Sequence, residues 1–427
     1  MLSVKQAEAI VMEAVQPLDT WEDSERVNLL AASGRVLAAT VTSELDFPHW
    51  DNSAMDGYAV RFVDVQDCCA EQPVVLEVVE EIPAGCQPQK TIQAGQAARI
   101  LTGSVMPAGA DTVVIQEETE RTGERVTILA APDPYAFVRY RASFYQAGDP
   151  LLAAGVAIQA PEIAVLAAAQ CPQVKVYRRP KVAILSTGDE LVTPEQPLQW
   201  GQIVDSNQYA LATLVVQAGA EPLLLGIVPD RPEQIRAAIA QAITQADVVL
   251  SSGGVSVGDY DYIDRILAEL GATIRFRAVA IKPGKPLTFA TFAPNANPAN
   301  SGSEPHTPNR PILYFGLPGN PVSSLVSVWR FVQPALKKLS GLVQGWGPEF
   351  VQATVQHELR SGGKRETYLW GQLKLGERDY EFHLAGGSHS SGNLINLVGT
   401  NGLAIIPAGQ RSILPGERVR VLRISAM

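Results

Sequence analysis

The sequence predicts a multidomain α/β protein: a central α/β domain with a mostly parallel sheet, an inserted β domain before it and a C-terminal β barrel-like domain after it. The chain of 427 residues is long enough for several domains, since one domain usually takes about 100 to 200 residues. Strand and helix patterns alternate in the middle of the chain, which is typical of a parallel sheet covered by helices. Short β-rich runs lie on either side of that region.

The first part of the chain combines helical patterns with a β-rich segment. Apolar residues recur at helical spacing in residues 3–15 and 24–31, which predicts two amphipathic helices. The helical pattern breaks at residues 46–50, and short β-rich runs between Gly and Pro turns follow, which predicts a small β domain. Another helix is predicted to begin at Pro161, because proline is favoured in the first turn of a helix. The β domain is therefore predicted to be inserted into a discontinuous N-terminal domain.

From residue 180 onward, buried-strand runs alternate with amphipathic runs that begin with capping residues. Strands are predicted at residues 181–185, 223–228, 247–250, 273–279 and 312–315, and helices at residues 206–217, 230–246, 261–270 and from about 322. From Glu349 onward, short alternating runs predict a small barrel or sandwich. The predicted domains are the N-terminal scaffold, the inserted β domain, the α/β domain and the C-terminal β domain, at residues 1–50 with 146–179, 51–145, 180–340 and 345–427.

Charge and cysteine content exclude several classes of function. Lys and Arg number 34 against 44 Asp and Glu, which gives a formal net charge of −10 and argues against a general nucleic-acid or membrane-binding surface. The four cysteines and five histidines show no zinc-ligand spacing, and the thiols are expected to be reduced. No signal peptide or uninterrupted apolar span is recognisable. We therefore expect a cytoplasmic protein.

Loops that follow the predicted strands are the first candidates for a binding site, because ligands of parallel sheets bind outside the carboxyl ends of the strands. Four of these loops are rich in Gly, Ser, Lys and acidic residues, at residues 186–190, 251–261, 282–286 and 317–323. Residues 251–261 are Gly-rich, so their backbone N–H groups could approach a phosphate at the start of the next helix. A plain strand-to-helix turn is the alternative, since the spacing matches no standard nucleotide fingerprint.

Charged residues in these loops predict the chemistry of the ligand. Lys282 and Lys285 lie on a backbone restrained by prolines, so two ammonium groups could hold a compact dianion. The carboxylates of Asp189, Glu190 and Asp261 follow neighbouring strands and offer the hard oxygens that Mg²⁺ prefers. Solvated lysines and helix caps are the structural alternatives. The residues alone thus indicate a protein for an anionic, phosphate-bearing ligand, with a magnesium requirement.

Six motifs taken together carry a more specific resemblance. They are DNSAMDGYA, RILTGSVMPAGADTVV, STGDEL, SSGGVSVGDYD, KPGKP and LPGNPVS, which begin at residues 51, 99, 186, 251, 282 and 317. In this order they resemble the molybdopterin molybdenumtransferase family, also called MoeA, which is homologous to the E domain of gephyrin. The resemblance spans nearly the whole chain. It implies a homodimer of four-domain subunits with an inserted β lid domain and a molybdopterin-binding α/β domain.

The activity that the resemblance implies is insertion of molybdate into adenylylated molybdopterin (molybdopterin-AMP), with Mg²⁺-dependent release of AMP. The residues implied as catalytic are Asp56, Glu190, Asp230 and Asp261, and those implied as metal ligands are Asp189, Glu190 and Asp261. The residues implied in substrate binding are Thr102, Thr187, Gly253, Gly254, Ser256, Lys282, Lys285, Pro318, Asn320, Pro321, Arg365, Ser388 and Ser391, with the choice of serine between the last two left open.

The resemblance also sets expectations about partners. Asp56 and Thr102 of one subunit would close over the partner's site, while Lys282, Lys285 and Arg365 would hold molybdate. Molybdopterin adenylyltransferase and molybdoenzymes are expected as transient partners, and nucleic acid and membranes are not. The chain departs from the family at residues 142–144, where Ala-Ser-Phe replaces the usual acidic Gly-Glu-Asp, and residues 293–311 form a longer loop than the family requires.

Two other functions remain to be distinguished at this point. One is the adenylyltransferase of the preceding step, which resembles the α/β domain alone and needs neither the lid motifs nor the C-terminal motifs. The other is a non-enzymatic scaffold like the gephyrin E domain.

Overall fold

The computed structural model describes residues 1–253, 260–294 and 309–424, and for residues 260–262 it describes the backbone alone. The chain divides into two compact units. The larger unit comprises Met1–Ala39, Ala154–Ala160 and Gln173–Met427, and the smaller unit comprises Thr40–Ala153 and Pro161–Pro172.

The smaller unit is built on a six-stranded mixed sheet. In spatial order its strands are Thr112–Ile115, Gly57–Val60, Gln96–Ile100, Val74–Ile82, Arg125–Ile128 and Thr119–Thr122. Only the pairing between Gln96–Ile100 and Val74–Ile82 is parallel. Both faces of the sheet carry buried apolar residues, with Tyr58 on one face and Ala59 on the other, because successive side chains of a strand point to opposite sides.

The larger unit contains the predicted α/β sheet, with six strands. In spatial order they are Glu221–Val228, Lys181–Thr187, Val248–Ser252, Ile312–Leu317, Pro286–Phe292 and Ala272–Ala278. The first four strands are mutually parallel. Strand Pro286–Phe292 pairs antiparallel with Ile312–Leu317, and Ala272–Ala278 pairs antiparallel with Pro286–Phe292. Strand Val248–Ser252 is buried throughout, and apolar clusters cover both faces of the sheet. The prediction of a mostly parallel, doubly covered sheet is confirmed.

Helices and short strands complete the described fold. The helices are Val4–Ala14, Leu29–Ala32, Phe62–Val65, Ala160–Ala168, Asn207–Gln217, Pro232–Gln245, Tyr260–Glu269, Pro321–Ser327 and Gln333–Leu339, with 3₁₀ turns at Gln116–Glu118 and Leu394–Leu397 and a π-helix at Val328–Val332. The paired short strands are Val41–Thr42 with Pro150–Leu152, Asn52–Ser53 with Val138–Arg139, Leu191–Val192 with Ile203–Val204, and Leu359–Arg360 with Ser412–Ile413. No described helix has the length and apolar character to cross a membrane.

Two elements differ from the sequence prediction. The predicted helix at residues 24–31 is a strand at Ser24–Asn28 followed by a short helix, because that strand pairs antiparallel with Gln173–Tyr177 from far along the chain. Strand Pro286–Phe292 is absent from the sequence prediction, which assigns residues 282–286 to a loop. Local pattern cannot reveal pairing between distant segments.

The C-terminal β domain is a closed, barrel-like sheet. Its strands, in order around the sheet, are Glu366–Leu375, Tyr380–Leu384, Phe350–Val355, Arg418–Arg423 and Gly402–Ile406, and the last pairs back onto the first. Apolar side chains such as Leu369 and Phe382 fill its interior. The two-residue strand Ile281–Lys282 from the α/β domain adds to Glu366–Leu375 in parallel. This pairing joins the KPGKP loop to the barrel.

Candidate active site

The glycine-rich loop begins in close contact with a neighbouring strand end. Thr187 is the last residue of strand Lys181–Thr187 and is buried. A Cβ atom on Gly253 would lie 2.3 Å from the carbonyl oxygen of Thr187, and Gly253 has φ +96°. Only glycine fits this position. The two predicted binding residues are therefore adjacent, whereas Gly254 and Ser256 lie outside the described residues.

Asn207, which the sequence pattern does not single out, joins two of the loops that follow strands, those at residues 251–261 and 317–323. Its Nδ2 donates hydrogen bonds to the Ser252 Oγ at 2.6 Å and to the Gly319 carbonyl oxygen at 2.8 Å. Asp205, just before the same helix, accepts a hydrogen bond from the Gln208 N–H at 3.2 Å. The sequence signal for Asn207 is only that a polar residue occupies the first position of helix Asn207–Gln217. Its partners are 45 and 112 residues away in the chain.

The acidic residues stand at the same edge of the sheet. Asp189 and Glu190 are exposed and follow strand Lys181–Thr187, while Asp230 follows strand Glu221–Val228. The Asp230 N–H donates a hydrogen bond to the Asp189 Oδ1 at 3.2 Å, so these two residues are brought together. The backbone of Asp261 lies in helix Tyr260–Glu269, and its side chain is outside the description. Among the described side chains, no three His, Cys, Asp or Glu residues form a metal-binding group.

The basic residues come from the α/β domain and the barrel. Lys282 and Lys285 are exposed on the KPGKP loop, and Gly284 lets this loop pack onto helix Pro321–Ser327, because a Cβ there would lie 3.0 Å from the Ser327 Oγ. Lys282 is in register with Thr367. The Arg365 Nη1 donates to the carbonyl oxygen of Ile281 at 3.2 Å, which places Arg365 beside the residue before Lys282.

The serine-containing segment lies at the start of helix Pro321–Ser327. The Val322 N–H donates to the carbonyl oxygen of Ser391 at 3.1 Å. The Ser388 carbonyl oxygen accepts hydrogen bonds from the Asn393 and Asn396 side chains at 3.1 and 2.8 Å, which fixes the segment's backbone. Pro318 is buried, Asn320 is exposed and Pro321 is partly buried at the beginning of this helix. The structure thus associates Ser391, more closely than Ser388, with the Pro-Gly-Asn-Pro motif.

In the smaller unit, the structure pairs the predicted residues Asp56 and Thr102. The Asp56 Oδ1 accepts hydrogen bonds from the Thr102 N–H at 2.7 Å and from its hydroxyl at 2.8 Å. These two hydrogen bonds keep the pKa of Asp56 below its usual value. Asp56 is therefore a fixed carboxylate near neutral pH. Gly57 beside it admits no side chain, since a Cβ would meet the Val114 carbonyl oxygen at 2.0 Å.

The departure at residues 142–144 has a local structural consequence. Ala142 adopts φ +61°, a left-handed conformation in which glycine carries no steric cost. The preceding Arg141 forms an ion pair with Asp46 at 2.6 Å. The chain therefore keeps the turn that a glycine would favour although an alanine occupies it.

The fold and these loops define a multidomain α/β protein. Its strand ends carry the start of a glycine-rich loop at Gly253, where a phosphate could approach the backbone, and basic side chains at Lys282, Lys285 and Arg365. Three family models match the chain: the MoeA N-terminal region (domains I and II) over residues 2–169, a probable molybdopterin binding domain over residues 183–338, and the MoeA C-terminal region (domain IV) over residues 352–424.

Individual relatives match over almost the whole chain. A molybdopterin molybdenumtransferase of Nostoc is 60% identical over 99% of this chain and 94% of its own length. The Haemophilus influenzae protein of the same name is 33% identical over 99% of this chain and 98% of its own length. The crystal structure of the molybdopterin biosynthesis moeA protein from Pyrococcus horikoshii covers 99% of this chain and 100% of its own, with a TM-score of 0.81 at 27% identity. The chain belongs to the molybdopterin molybdenumtransferase family, whose members are transferases of molybdenum cofactor biosynthesis, and the resemblance inferred from the motifs is confirmed.

Proposed function

We propose that this chain inserts molybdate into molybdopterin-AMP and releases AMP, giving molybdenum cofactor. The observation that carries the proposal is the contact of Arg365 with Ile281, the residue before the KPGKP loop, while that loop packs on helix Pro321–Ser327. Molybdate is a compact tetrahedral dianion. Fixed ammonium and guanidinium groups are the chemistry that recognises it.

Each described loop has a role in this proposal. Lys282, Lys285 and Arg365 bind molybdate, and the Ser391 segment closes the site beside them. Gly253 lets backbone approach the phosphates, and Asn207 holds this loop against Gly319. The carboxylates of Glu190 and Asp230 orient the phosphoanhydride end of molybdopterin-AMP.

We also propose a magnesium requirement, which rests mainly on the family. The described carboxylates of Asp189 and Glu190 are exposed at the correct edge of the sheet, but they do not complete a set of ligands by themselves. With Asp261 they would supply the hard oxygens that bind Mg²⁺, which would neutralise phosphate charge. Titration of Mg²⁺ into enzyme treated with EDTA should restore AMP release. Full AMP release without a divalent cation would contradict this part of the proposal.

A homodimer with shared sites is the proposed assembly, and the cytoplasm is the proposed location. Asp56 and Thr102 would act on the partner subunit's site. An Asp56→Ala chain mixed with a Lys282→Ala chain should then recover part of the activity, because each heterodimer retains an intact site. No recovery in verified heterodimers would exclude the shared site. Molybdopterin adenylyltransferase and molybdoenzymes are the proposed transient partners that supply the substrate and receive the product.

The test of the activity itself uses purified protein, molybdopterin-AMP, molybdate and Mg²⁺. The expected result is molybdate-dependent AMP release together with cofactor that activates an apo-molybdoenzyme. Conversion of ATP and molybdopterin into molybdopterin-AMP would instead identify an adenylyltransferase. Ligand binding without turnover would identify a scaffold.

A further inference from the structure

A chain of buried and partly buried polar side chains connects the N-terminal helix with strand Glu366–Leu375, which begins directly after Arg365. It consists of Glu8, Arg330, Tyr368 and Glu366, and we call it the polar chain. The Arg330 guanidinium donates to both carboxylate oxygens of Glu8, each at 2.7 Å. Its Nε donates to the Tyr368 hydroxyl at 3.1 Å, and that hydroxyl donates to the Glu366 Oε1 at 2.6 Å.

The polar chain is costly to bury, which calls for an explanation beyond packing. The side chain of Arg330 is 5% exposed, and Tyr368 is 0% exposed. A buried ion pair of this kind is often no more stabilising than apolar residues of the same volume. Its hydrogen bonds are directional, however, so it fixes the positions of the groups that it joins. Burial raises the pKa of Tyr368, which keeps the hydroxyl protonated as a donor.

Arg365 and the KPGKP loop, which supply the basic side chains, are both tied to the same N-terminal segment. Glu366, at the end of the polar chain, directly follows Arg365 and is in register with Ile281. On the other side, the Ala280 N–H donates to the Leu2 carbonyl oxygen at 2.7 Å, just before the KPGKP loop. Residues 2–8 therefore contact the residue that precedes strand Ile281–Lys282 and, through the polar chain, the start of strand Glu366–Leu375 beside Arg365.

We infer that the polar chain is a positioning device for molybdate binding, with Tyr368 as its central positioning residue. It sets the separation of Arg365 from Lys282 and so the fit of the tetrahedral oxyanion. None of its four side chains needs to touch molybdate or molybdopterin-AMP. This inference rests on the proposed molybdate site.

The decisive variant is Tyr368→Phe, which removes a single hydroxyl and keeps the ring. We expect the KM for molybdate to rise about tenfold, the lower end of the loss seen when a residue that orients a metal ligand is removed. The kcat at saturating molybdate, the affinity for molybdopterin-AMP and the folded state should stay near the wild-type values. Tyr380→Phe, a tyrosine in another strand of the same barrel, is the matched control and should leave the molybdate KM unchanged.

A second pair of variants separates positioning from simple loss of structure. Glu366→Gln keeps an oxygen that can accept from Tyr368 and should retain a near-normal molybdate KM, whereas Glu366→Ala should raise it as Tyr368→Phe does. An unchanged molybdate KM in folded Tyr368→Phe, while Lys285→Ala raises it, would overturn the inference and leave the molybdate site standing. If Lys285→Ala also has no effect, the molybdate site itself is wrong. Equal loss of both substrates in Tyr368→Phe would likewise overturn the positioning role.

Discussion

The two edges of the α/β sheet use charged residues in opposite ways. At the amino-terminal edge, a four-charge cluster is formed by buried Asp23, Asp247 and Arg310 and by partly buried Arg178, which bonds both oxygens of Asp247 at 2.7 and 2.8 Å. At the carboxyl-terminal edge, Lys282 and Lys285 are exposed and form no ion pair with any side chain that the structure describes. Buried charges must be paired, while exposed and unpaired cations are free to bind an anion. Charge alone therefore does not mark a site; the pairing and burial of that charge do.

The four-charge cluster explains how distant segments are held at the amino-terminal edge. Arg178 also bonds Asp23 at 2.9 Å, and Arg310 bonds Asp23 at 2.5 Å and contacts Asp247 as well. The Lys181 N–H donates to the Asp247 Oδ2 at 2.8 Å, which anchors the start of a central strand. Burial by itself would raise the pKa of Asp247, but the hydrogen bond and charge of Arg178 and the charge of Arg310 outweigh it and lower the pKa to about 2.

The largest effect is expected when the buried cluster is broken. Asp247→Asn should lower the free energy of unfolding by about 3 to 5 kcal/mol, since removal of one partner leaves buried cations without a counter-charge. Urea unfolding followed by circular dichroism measures this loss. Asp133→Asn, an exposed aspartate, is the control and should stay near the wild-type stability. A loss in Asp247→Asn as small as that of the control would remove the contrast between the two edges.

The exposed edge should respond in the opposite manner. Lys285→Ala should leave the free energy of unfolding nearly unchanged but weaken molybdate binding by about 1.5 to 3 kcal/mol, the usual worth of a hydrogen bond to a charged group. Binding of molybdopterin-AMP should persist. Molybdate affinity by calorimetry and thermal unfolding of the same sample measure both quantities. Equal weakening of the two substrates would show that the lysine contacts more than molybdate.

The residues of the exposed edge can be predicted from the sequence, whereas those of the buried edge cannot. The carboxyl-terminal edge is built from short contiguous motifs such as KPGKP, whose glycines and prolines signal a turn. The four-charge cluster joins Asp23 to Arg310 across 287 residues, and no local pattern encodes that pairing. The same limit explains Asn207, whose partners lie on other loops, and strand Ser24–Asn28, whose partner lies far along the chain. Long-range partners decided each of these cases.

The pH dependence of stability should report the same buried carboxylate. The pKa of Asp247 is lowered from 3.8 to about 2 on folding, so its contribution is present above the unfolded value and is lost as the pH falls toward the folded value. A shift of this size corresponds to about 2 kcal/mol. From about pH 5 to about pH 2, an interval that contains the unfolded pKa and ends at the folded one, wild-type protein should lose about 2 kcal/mol more stability than Asp247→Asn. Parallel curves for the two proteins would contradict the assignment.

The smallest effect concerns Asn207, which lies at the exposed edge but acts through neutral hydrogen bonds. In Asn207→Asp, a carboxylate oxygen replaces the Nδ2 donor and faces the carbonyl oxygen of Gly319, while the Ser252 hydroxyl can still donate to it. One hydrogen bond is therefore lost and a repulsive contact appears, which should cost about 1 kcal/mol. Because Asn207 connects the loop after Ser252 to Gly319, the cost should appear as weaker molybdopterin-AMP binding.

The matched control for Asn207 is Asn28→Asp, because the Asn28 side-chain oxygen acts as an acceptor from Gln173 and an aspartate preserves that contact. Calorimetric titration with molybdopterin-AMP should show about fivefold weaker binding for Asn207→Asp, the equivalent of about 1 kcal/mol, and wild-type binding for Asn28→Asp. Molybdate affinity should be the same in all three proteins, since Lys282 and Lys285 belong to another loop. If molybdate binding fell in Asn207→Asp instead, the KPGKP loop and the glycine-rich loop would act as one unit. The exposed edge of the sheet would then be as tightly coupled as the buried edge.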